Sequence, residues 1–274
     1  MITSAILAAG TVGALPASSD GSGFEPPSMD DFFPAPFAFQ GTPFELNRVM
    51  MVRLIMACAL VLVFAIGAAR ARVVPGRFQS ALELVLDFVR KNVAEEILGP
   101  DFGRRYAPVL TTIFLGVLFL NISGVIPGLQ IASTGVVGMP LIFAIVSYIA
   151  FFYAGVRANG IGRYLKGSLA PRGVPGFLYP LIVPIEFLST FILRPLTLTV
   201  RLMANMISGH LLLGMTYFGT AVLLHELSVL SAASALTGAA MFVMTGFEVF
   251  VAFLQAYIFT ILSTVYIKLS VEHH

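Results

Sequence analysis

The sequence contains few charged residues and no tryptophan. Only 11% of its 274 residues are Asp, Glu, Lys or Arg, while 58% are hydrophobic. Soluble domains carry about 25% charged residues, so this composition excludes an ordinary soluble protein and indicates an integral membrane protein. Because tryptophan is absent, tyrosine and phenylalanine have to supply the aromatic belts at the two membrane surfaces.

The sequence also has a single cysteine, a small net charge and none of the common catalytic motifs. The single cysteine, Cys58, cannot form an internal disulfide bond. The net charge of +2, with basic residues that form no continuous stripe, argues against nucleic acid as a partner. There is no metal-ligand spacing, nucleophile elbow or glycine-rich phosphate loop, so we expect no metal and no cofactor. The terminal pair His273 and His274 fits a frayed polar tail better than a metal site.

Residues 1–46 differ from the rest of the chain and are predicted to form a tail on the non-cytoplasmic side of the membrane. They join an apolar opening to a Pro-, Ser-, Gly- and Phe-rich acidic segment without any basic residue. The opening has the length of a signal-peptide core but no Lys or Arg before it, which leaves open whether it is cleaved or forms a loosely ordered tail. Residues 47–274 are predicted to form a single membrane domain.

Hydrophobic runs in residues 47–274 predict an all-α membrane fold with about five crossings. Eleven of the sixteen basic residues lie in segments 70–105 and 157–172, and the positive-inside rule places both segments in the cytoplasm. The N-terminus is therefore expected outside and the C-terminus in the cytoplasm. The predicted spans are 47–70, 106–126, 140–157, 178–217 and 235–270.

Residues 78–98 predict an amphipathic helix between the first two spans. Apolar residues recur at helical spacing, against polar residues on the other face, at Phe78, Leu82, Val85, Val89, Val93 and Ile97. We expect this helix to lie along the cytoplasmic interface of the membrane. Packing against another subunit is the alternative, and it leaves the topology unchanged.

The last two hydrophobic blocks are too long to cross a membrane at right angles. About 35 helical residues measure roughly 50 Å, whereas the hydrocarbon core is about 30 Å thick. A long, tilted, antiparallel hairpin is the expected result, with its turn near residues 217–234. His225 and Glu226 are expected in that turn as a solvated pair, and Pro195 is expected to loosen or kink the first arm.

The first arm of this hairpin carries polar and basic residues inside a hydrophobic run. An arginine at the centre of a membrane helix, as Arg201 would be, costs roughly 2.5–3.5 kcal/mol on insertion scales, so a functional role is the default expectation. At about 100° per residue, Arg194, Asn205 and Ser208 share the face of Arg201. His210 points to roughly the opposite side of the helix.

The second arm carries a matching pair of polar residues. Glu248 is the only carboxylate in 235–270, and Gln255, seven residues further on, shares its face. Antiparallel pairing of the two arms is expected to bring Glu248 near His210, and Gln255 near Arg201 or Asn205.

The chemistry of these groups indicates a gated path for protons. The guanidinium of Arg201 never loses its proton, so it cannot relay one, but it can repel a proton and stabilise a nearby ionised carboxylate. His210 and Glu248 can both take up and release protons, which predicts a proton path. A His–Glu pair that only ties the two helices together is the alternative.

Two further ionisable residues of the first arm have two interpretations each. Arg194 either supports the gate or anchors the helix by snorkelling towards the cytoplasmic surface. Glu186 either lines an aqueous opening on the cytoplasmic side or pairs with Arg194.

The residues of both arms form a recognisable pattern. The pattern Arg194-Pro-x5-Arg201-Leu-x2-Asn205-Met-x2-Gly209-His210, followed by Glu248-x6-Gln255-Ala-x-Ile258-Phe, resembles subunit a of the F-type ATP synthase membrane sector. The resemblance extends from about residue 44 to the end of the chain, and residues 1–40 lie outside it.

The resemblance implies a rotary mechanism and specific residue roles. Arg201 would face a ring of c subunits, whose carboxylates load and unload protons beside it. His210 and Glu248 would belong to the half-channel from the non-cytoplasmic side, with Asn205 and Gln255 near the arginine. Some bacterial members of this family carry the acid and the histidine in the opposite order. If the two side chains meet in space, either order keeps one acid and one imidazole in the path.

The resemblance also implies partners and a location. The expected partners are the c-subunit ring, peripheral-stalk b-type subunits, the lipid bilayer and, indirectly, the soluble catalytic sector. The chain has no nucleotide site of its own, so we expect no enzymatic activity from it alone. The acidic tail and basic loops favour a bacterial inner (plasma) membrane over an organelle inner membrane. The alternative function, a secondary proton-coupled transporter, predicts an internal repeat with broken helices in both halves, and the sequence shows none.

Overall fold

The computed structural model of the protein describes residues 47–126, 134–164, 178–225 and 231–272. Every regular element in these ranges is a helix, and five helices are long and apolar enough to cross a membrane. The predicted all-α membrane fold with five candidate crossings is therefore confirmed. The predictions for the tail 1–46, for Glu226 and for the terminal histidines lie outside the described residues.

The first crossing and the amphipathic helix follow one another closely. Helix α1 comprises Arg48–Ala69, and the side-chain oxygen of Asn47 caps its start by accepting a hydrogen bond from the backbone N–H of Met50 at 2.8 Å. Helix α2, Arg77–Val89, continues into a π-helical segment, Arg90–Glu95, and a last turn, Glu96–Leu98. A helix thus occupies the range predicted for the amphipathic element, and its position along the membrane surface stays a prediction.

A glycine forms the corner between the amphipathic helix and the second crossing. Gly99 has a φ angle of 80°, a left-handed conformation that glycine adopts without steric cost. Helix α3, Pro100–Ile122, begins immediately afterwards. It starts six residues before the predicted span 106–126. Its first turns are polar because they contain Asp101 and the basic residues after it. Hydrophobicity alone does not detect such turns.

Helix α4, Gly138–Asn159, is held against the last helix of the chain, α7 (Ser231–Glu272), by hydroxyl groups. The Ser147 hydroxyl donates to the Ser263 hydroxyl oxygen at 2.7 Å, and the Ser270 hydroxyl donates to the backbone oxygen of Phe151 at 2.9 Å. All three serines are buried. Inside a membrane such interhelical hydrogen bonds add to close van der Waals packing.

The chain ends in the predicted long helical hairpin. Its first arm consists of α5 (Tyr179–Phe187), a π-helical segment (Leu188–Leu193) and α6 (Arg194–His225), and α7 is its second arm. The candidate crossings within the arms, 179–222 and 236–272, have 44 and 37 residues. Their lengths of about 66 Å and about 55 Å exceed a hydrocarbon core of about 30 Å, so both arms have to tilt or extend beyond it.

The predicted bounds of the hairpin turn were wrong. The first arm was expected to end at residue 217, but α6 continues to His225, and α7 already begins at Ser231. His225 is therefore the last residue of a helix and not part of an open turn. The segment after residue 217 is apolar, and its single glycine, Gly219, lowers helix propensity by only about 1 kcal/mol.

Pro195 changes the first arm in a specific way. Proline cannot donate the backbone hydrogen bond that an α-helix needs, and the π-helical segment Leu188–Leu193 comes directly before it. The carbonyl oxygen of Pro195 accepts a hydrogen bond from the hydroxyl of Thr199 at 2.8 Å. The expected loosening of the helix beside Arg194 thus takes the form of a π-bulge, after which the arm continues without a break.

Candidate functional site

Helix α6 buries one face against α7. Leu198, Leu202 and Met206 are 0 to 3% exposed, and their spacing of four residues forms one stripe along the helix. Leu198 and Leu202 belong to the same apolar core as Ala256 and Phe259 of α7. This packing fixes which side of α6 points away from the chain.

The opposite face of α6 is exposed and contains Arg201. Its exposed residues recur every three or four positions, at Thr197, Arg201, Ala204, Ser208, Leu212 and Met215. We call this row the Arg201 stripe. Of the residues predicted to share the arginine face, Ser208 lies on the stripe, whereas Asn205 is half-buried at its edge.

Arg201 forms no ion pair with any residue that the structure describes. The ion pairs in these ranges involve Glu95, Asp87 and Glu272, which lie on the amphipathic helix and at the end of α7. A cation in the middle of a membrane helix is therefore exposed on the chain surface without an anion of its own.

Glu248 lies on the other side of α6, inside the hairpin. Its side chain is buried, and its carboxyl group packs directly against the backbone of Gly209. A Cβ atom at position 209 would overlap both carboxylate oxygens, so with any other residue there the end of the Glu248 side chain would have to move. The acid is thus brought beside α6 at the residue next to His210.

The contact between Gly209 and Glu248 sets the alignment of the two arms. Seven residues further along α7 is Gln255, and seven residues back along α6 is Leu202. In an antiparallel pair these two positions lie at the same level, which places Gln255 within one residue of Arg201 in height. Gln255 is buried, and its Nε2 atom has no hydrogen-bond partner among the described residues.

The structure brings some of the predicted site residues together and separates others. Glu248 lies on the side of α6 that faces α7, Arg201 lies on the exposed side, and His210 is half-buried. The direct pairing of His210 with Glu248 stays a prediction, as do the roles of Asn205 and Gln255.

Arg194 and Glu186 each have a partner, and they are not paired with each other. The Arg194 guanidinium carbon lies 5.3 Å from the centre of the Tyr266 ring, within the range of a cation–π contact. Glu186 accepts a hydrogen bond of 3.3 Å from the hydroxyl of Thr190, one turn further along the same arm. The proposed pairing of Glu186 with Arg194 is absent from the described residues.

Sequence reasoning missed two residues of this region. Gly209 was part of the motif but had no assigned role, and only the three-dimensional contact shows that its missing side chain accommodates Glu248. Tyr266 gave no signal, because an aromatic residue in an apolar helix is ordinary. In the described ranges no three His, Cys, Asp or Glu side chains come together as metal ligands.

Comparison with known proteins gives a consistent result across nearly the whole chain. The sequence profile of the family described as ATP synthase A chain matches residues 49–268. The ATP synthase subunit a of Rhodococcus erythropolis is 46% identical over 253 residues, which cover 91% of each chain. The subunits a of Nocardioides sp. and Pseudarthrobacter chlorophenolicus are 36% and 33% identical, and cover 92% and 93% of this chain and 94% and 96% of their own lengths.

These relatives are bacterial, and they match a chain with five helices that can cross a membrane. The profile match covers α1, the amphipathic helix and most of the hairpin, including every residue of the candidate site. The chain belongs to the ATP synthase A chain family, as a multi-pass membrane subunit of an ATP synthase.

Proposed function

We propose that the chain is the stator subunit that couples proton flow to rotation of a c-subunit ring. Protons would pass through two offset half-channels, one open to each side of the membrane. One half-channel loads the carboxylates of the ring, and the other unloads them. Arg201 would stand between the two and prevent protons from passing directly.

The observation that carries this proposal is the exposure of Arg201 on a membrane helix. A cation that is exposed to the lipid of a membrane is costly, and the described part of the chain supplies no anion for Arg201. A carboxylate presented by a neighbouring subunit would stabilise it at this position. Since a guanidinium stays charged, each ring carboxylate that arrives beside Arg201 would be driven to release its proton.

The residues next to Arg201 suit a moving partner. Ala204 and Ser208 are the next two positions of the Arg201 stripe, and both are small. Small side chains let a neighbouring membrane helix approach closely, and they present little for it to interlock with. This supports a ring of helices sliding past the stripe.

The uptake half-channel is proposed to follow the inner side of the hairpin. Glu248 and His210 offer an acid and an imidazole on neighbouring turns of the two arms. The unpartnered amide nitrogen of buried Gln255, near the level of Arg201, supports a polar or hydrated path that continues towards the ring.

The release half-channel is proposed to open at the other end of the first arm. Glu186 lies fifteen residues before Arg201, which corresponds to about 22 Å along the helix axis. It is half-buried beside Thr190 and so can hold water at the edge of the chain. Arg194, held over Tyr266, would keep this part of the arm in place.

The proposed orientation places the N-terminus outside and the C-terminus in the cytoplasm. The peripheral-stalk b-type subunits and, through them, the soluble catalytic sector complete the expected complex. The family match favours this function over a secondary proton-coupled transporter, whose coupling would need no ring.

A cross-linking experiment tests whether the Arg201 stripe faces the ring. Cys58 is first replaced by serine, and Ala204→Cys is then combined with a cysteine beside the proton-carrying carboxylate of the c subunit in the intact complex. Oxidation should form a disulfide between the two subunits. Ile149→Cys is the matched control, because Ile149 is 60% exposed but lies on α4.

The cross-linking result shows whether the Arg201 stripe or the α4 surface around Ile149 faces the ring. A disulfide from position 204 and none from position 149 supports the proposed ring interface. Equal yields from both positions, or none from position 204, would contradict it.

A further inference from the structure

A cavity of about 710 Å³ lies outside the hairpin, between α1, the amphipathic helix and α3. Most of its walls are apolar, and Leu60 and Phe64 of α1, Leu86 of α2 and Leu115 of α3 are among the residues that form them. Its lining also includes the basic residues Arg90 and Arg104. The cavity therefore combines a hydrocarbon-like wall with a cationic group.

The two arginines share one carboxylate and have hydrogen-bond donors to spare. The Nε atom of Arg90 lies 2.9 Å, and that of Arg104 3.3 Å, from the same oxygen, Oε1 of Glu95. The terminal nitrogens of both guanidinium groups have no partner among the described residues. The three side chains together carry a net charge of +1, and the arginine side chains are 44% and 66% exposed.

The cavity has the depth of one membrane leaflet. Arg104 comes eleven residues before Leu115 on α3, a distance of about 16 Å along the helix axis. Half of a hydrocarbon core of about 30 Å has the same depth. A transmembrane helix of another subunit would need a groove across both leaflets, whereas a lipid needs only one.

We infer that this cavity binds an anionic phospholipid. Its phosphate would accept hydrogen bonds from the free guanidinium nitrogens of Arg90 and Arg104, for which a planar guanidinium is well suited. One acyl chain would lie against Leu60, Phe64 and Leu115. Basic pockets between membrane helices at the cytoplasmic side suit such headgroups, and the predicted orientation puts these arginines on that side.

This inference goes beyond the proposed function and takes from it only the membrane orientation. The lipid would occupy the space that separates α1 from the amphipathic helix and α3. Its phosphate would balance the net charge of +1 that Arg90, Arg104 and Glu95 carry together. Neither Arg201 nor the hairpin takes part.

The lack of tryptophan makes a direct test possible. Val61 lines the cavity and is 68% exposed, so Val61→Trp introduces one fluorophore at the site with little disturbance. The full-length chain is placed in bilayers that contain brominated phosphatidylglycerol or brominated phosphatidylcholine, which quench tryptophan on contact. We expect phosphatidylglycerol to be preferred about fivefold, the effect of one net positive charge near a membrane surface.

Three variants in this background identify the headgroup contact. Arg90→Gln with Arg104→Gln should remove the preference. Arg105→Gln makes the same change in charge at a neighbouring exposed residue outside the cavity and should leave the preference intact. Glu95→Gln frees both guanidinium groups from their carboxylate and should raise the preference, whereas mere damage to the fold would lower it.

A photoactivatable phosphatidylglycerol then tests the site in the intact complex. Labelling of residues 86–112 there, competed by unlabelled phosphatidylglycerol, supports the inference. Equal quenching by both lipids, a preference that survives the double arginine replacement, or labelling that the isolated chain shows and the complex does not would overturn it. In the last case, a partner subunit fills the cavity.

Discussion

The carboxyl group of Glu248 occupies the space beside Gly209 that the Cβ atom of any other residue would fill. The contact joins the two arms of the hairpin inside the predicted membrane region, where an acid is costly to bury. It also places the acid one residue from His210. The absence of a side chain at position 209 is therefore a structural requirement for the position of the acid.

Gly209→Ala is expected to displace the Glu248 carboxyl and slow proton conduction. The added methyl group overlaps the carboxylate oxygens, and because these form the free end of a flexible side chain, the carboxyl group moves away from α6 at little cost in stability. We expect passive proton flux, measured in vesicles stripped of the soluble catalytic sector, to fall at least several-fold. Gly219→Ala on the same helix is the control, since a Cβ there meets no atom within 4 Å.

A shortened acid provides the complementary test. Glu248→Asp in the Gly209→Ala background draws the carboxyl back and should recover part of the lost flux. If Gly209→Ala conducts as well as Gly219→Ala, the contact has no part in the path.

Arg201→Ala is expected to abolish ATP-driven proton pumping in inverted vesicles while the subunit still inserts and assembles. Arg201→Lys should fail as well, because an ammonium lacks the planar fork of a guanidinium and can lose its proton when it is desolvated. Ser208→Ala changes a neighbouring residue of the same stripe without any change in charge, and it should pump normally. Normal pumping by either Arg201 variant would refute the proposed gate.

The fold was largely predictable because the membrane limits what a chain can do. Backbone groups in lipid have to bond internally, so long apolar runs can only be helices. Composition and the spacing of apolar residues therefore predicted five candidate crossings, the amphipathic helix and the long final hairpin. They also predicted that Arg201 and His210 lie on different sides of α6, since helical periodicity alone determines this.

The details that sequence missed depend on contacts between distant residues. The first turns of α3 lie outside the predicted span 106–126 because they are polar, and they are stabilised by packing on the π-helical segment Arg90–Glu95. A Cβ atom at Gly103 would lie 2.6 Å from the Cα atom of Glu95, so the two backbones approach closely there. Such approaches leave no periodic signal in a single sequence.

Arg194 and Tyr266 are expected to stabilise the hairpin as a pair. A double-mutant cycle of Arg194→Gln and Tyr266→Leu should give a coupling energy of about 0.5–2 kcal/mol from thermal unfolding of the purified subunit. Tyr266→Phe keeps the aromatic face and should retain most of the stability. A coupling energy near zero would show that Arg194 only snorkels towards the surface.

Acidification is expected to weaken the attachment of the amphipathic helix to α3. Hydrogen bonds from Arg90 and then from Arg104 hold the pKa of the Glu95 carboxyl below its usual value of 4.5. A lowered folded-state pKa contributes stability above the usual value, and this stability is lost as pH falls through the lowered one. Between about pH 7 and about pH 3.5, Glu95→Gln should lose less thermal stability than the natural chain does.

Glu96→Gln is the control for this experiment. Glu96 is exposed and forms no ion pair among the described residues, so its replacement should leave the pH dependence of the natural chain unchanged. The same slope for Glu95→Gln and Glu96→Gln would exclude Glu95 as the titrating group.

His210 and Glu248 are expected to act as a pair in proton uptake. If the two side chains share one proton path, their roles belong to the pair and not to fixed positions. His210→Ala and Glu248→Ala should each slow proton uptake, and Glu248→Ala more, because the carboxylate is the proposed site of proton capture. Passive proton flux through vesicles without the catalytic sector measures both.

Exchanging the two residues tests the pairing itself. His210→Glu combined with Glu248→His restores one acid and one imidazole in reversed order. We expect this double variant to conduct better than the two single replacements would predict independently, with a coupling energy of about 0.5–3 kcal/mol, as for residues in contact. Because Gly209 still leaves room beside position 248, the imidazole placed there can approach α6 as the acid does. Strictly additive losses would show that the two residues serve separate purposes, and proton uptake would then have to follow a route that does not join them.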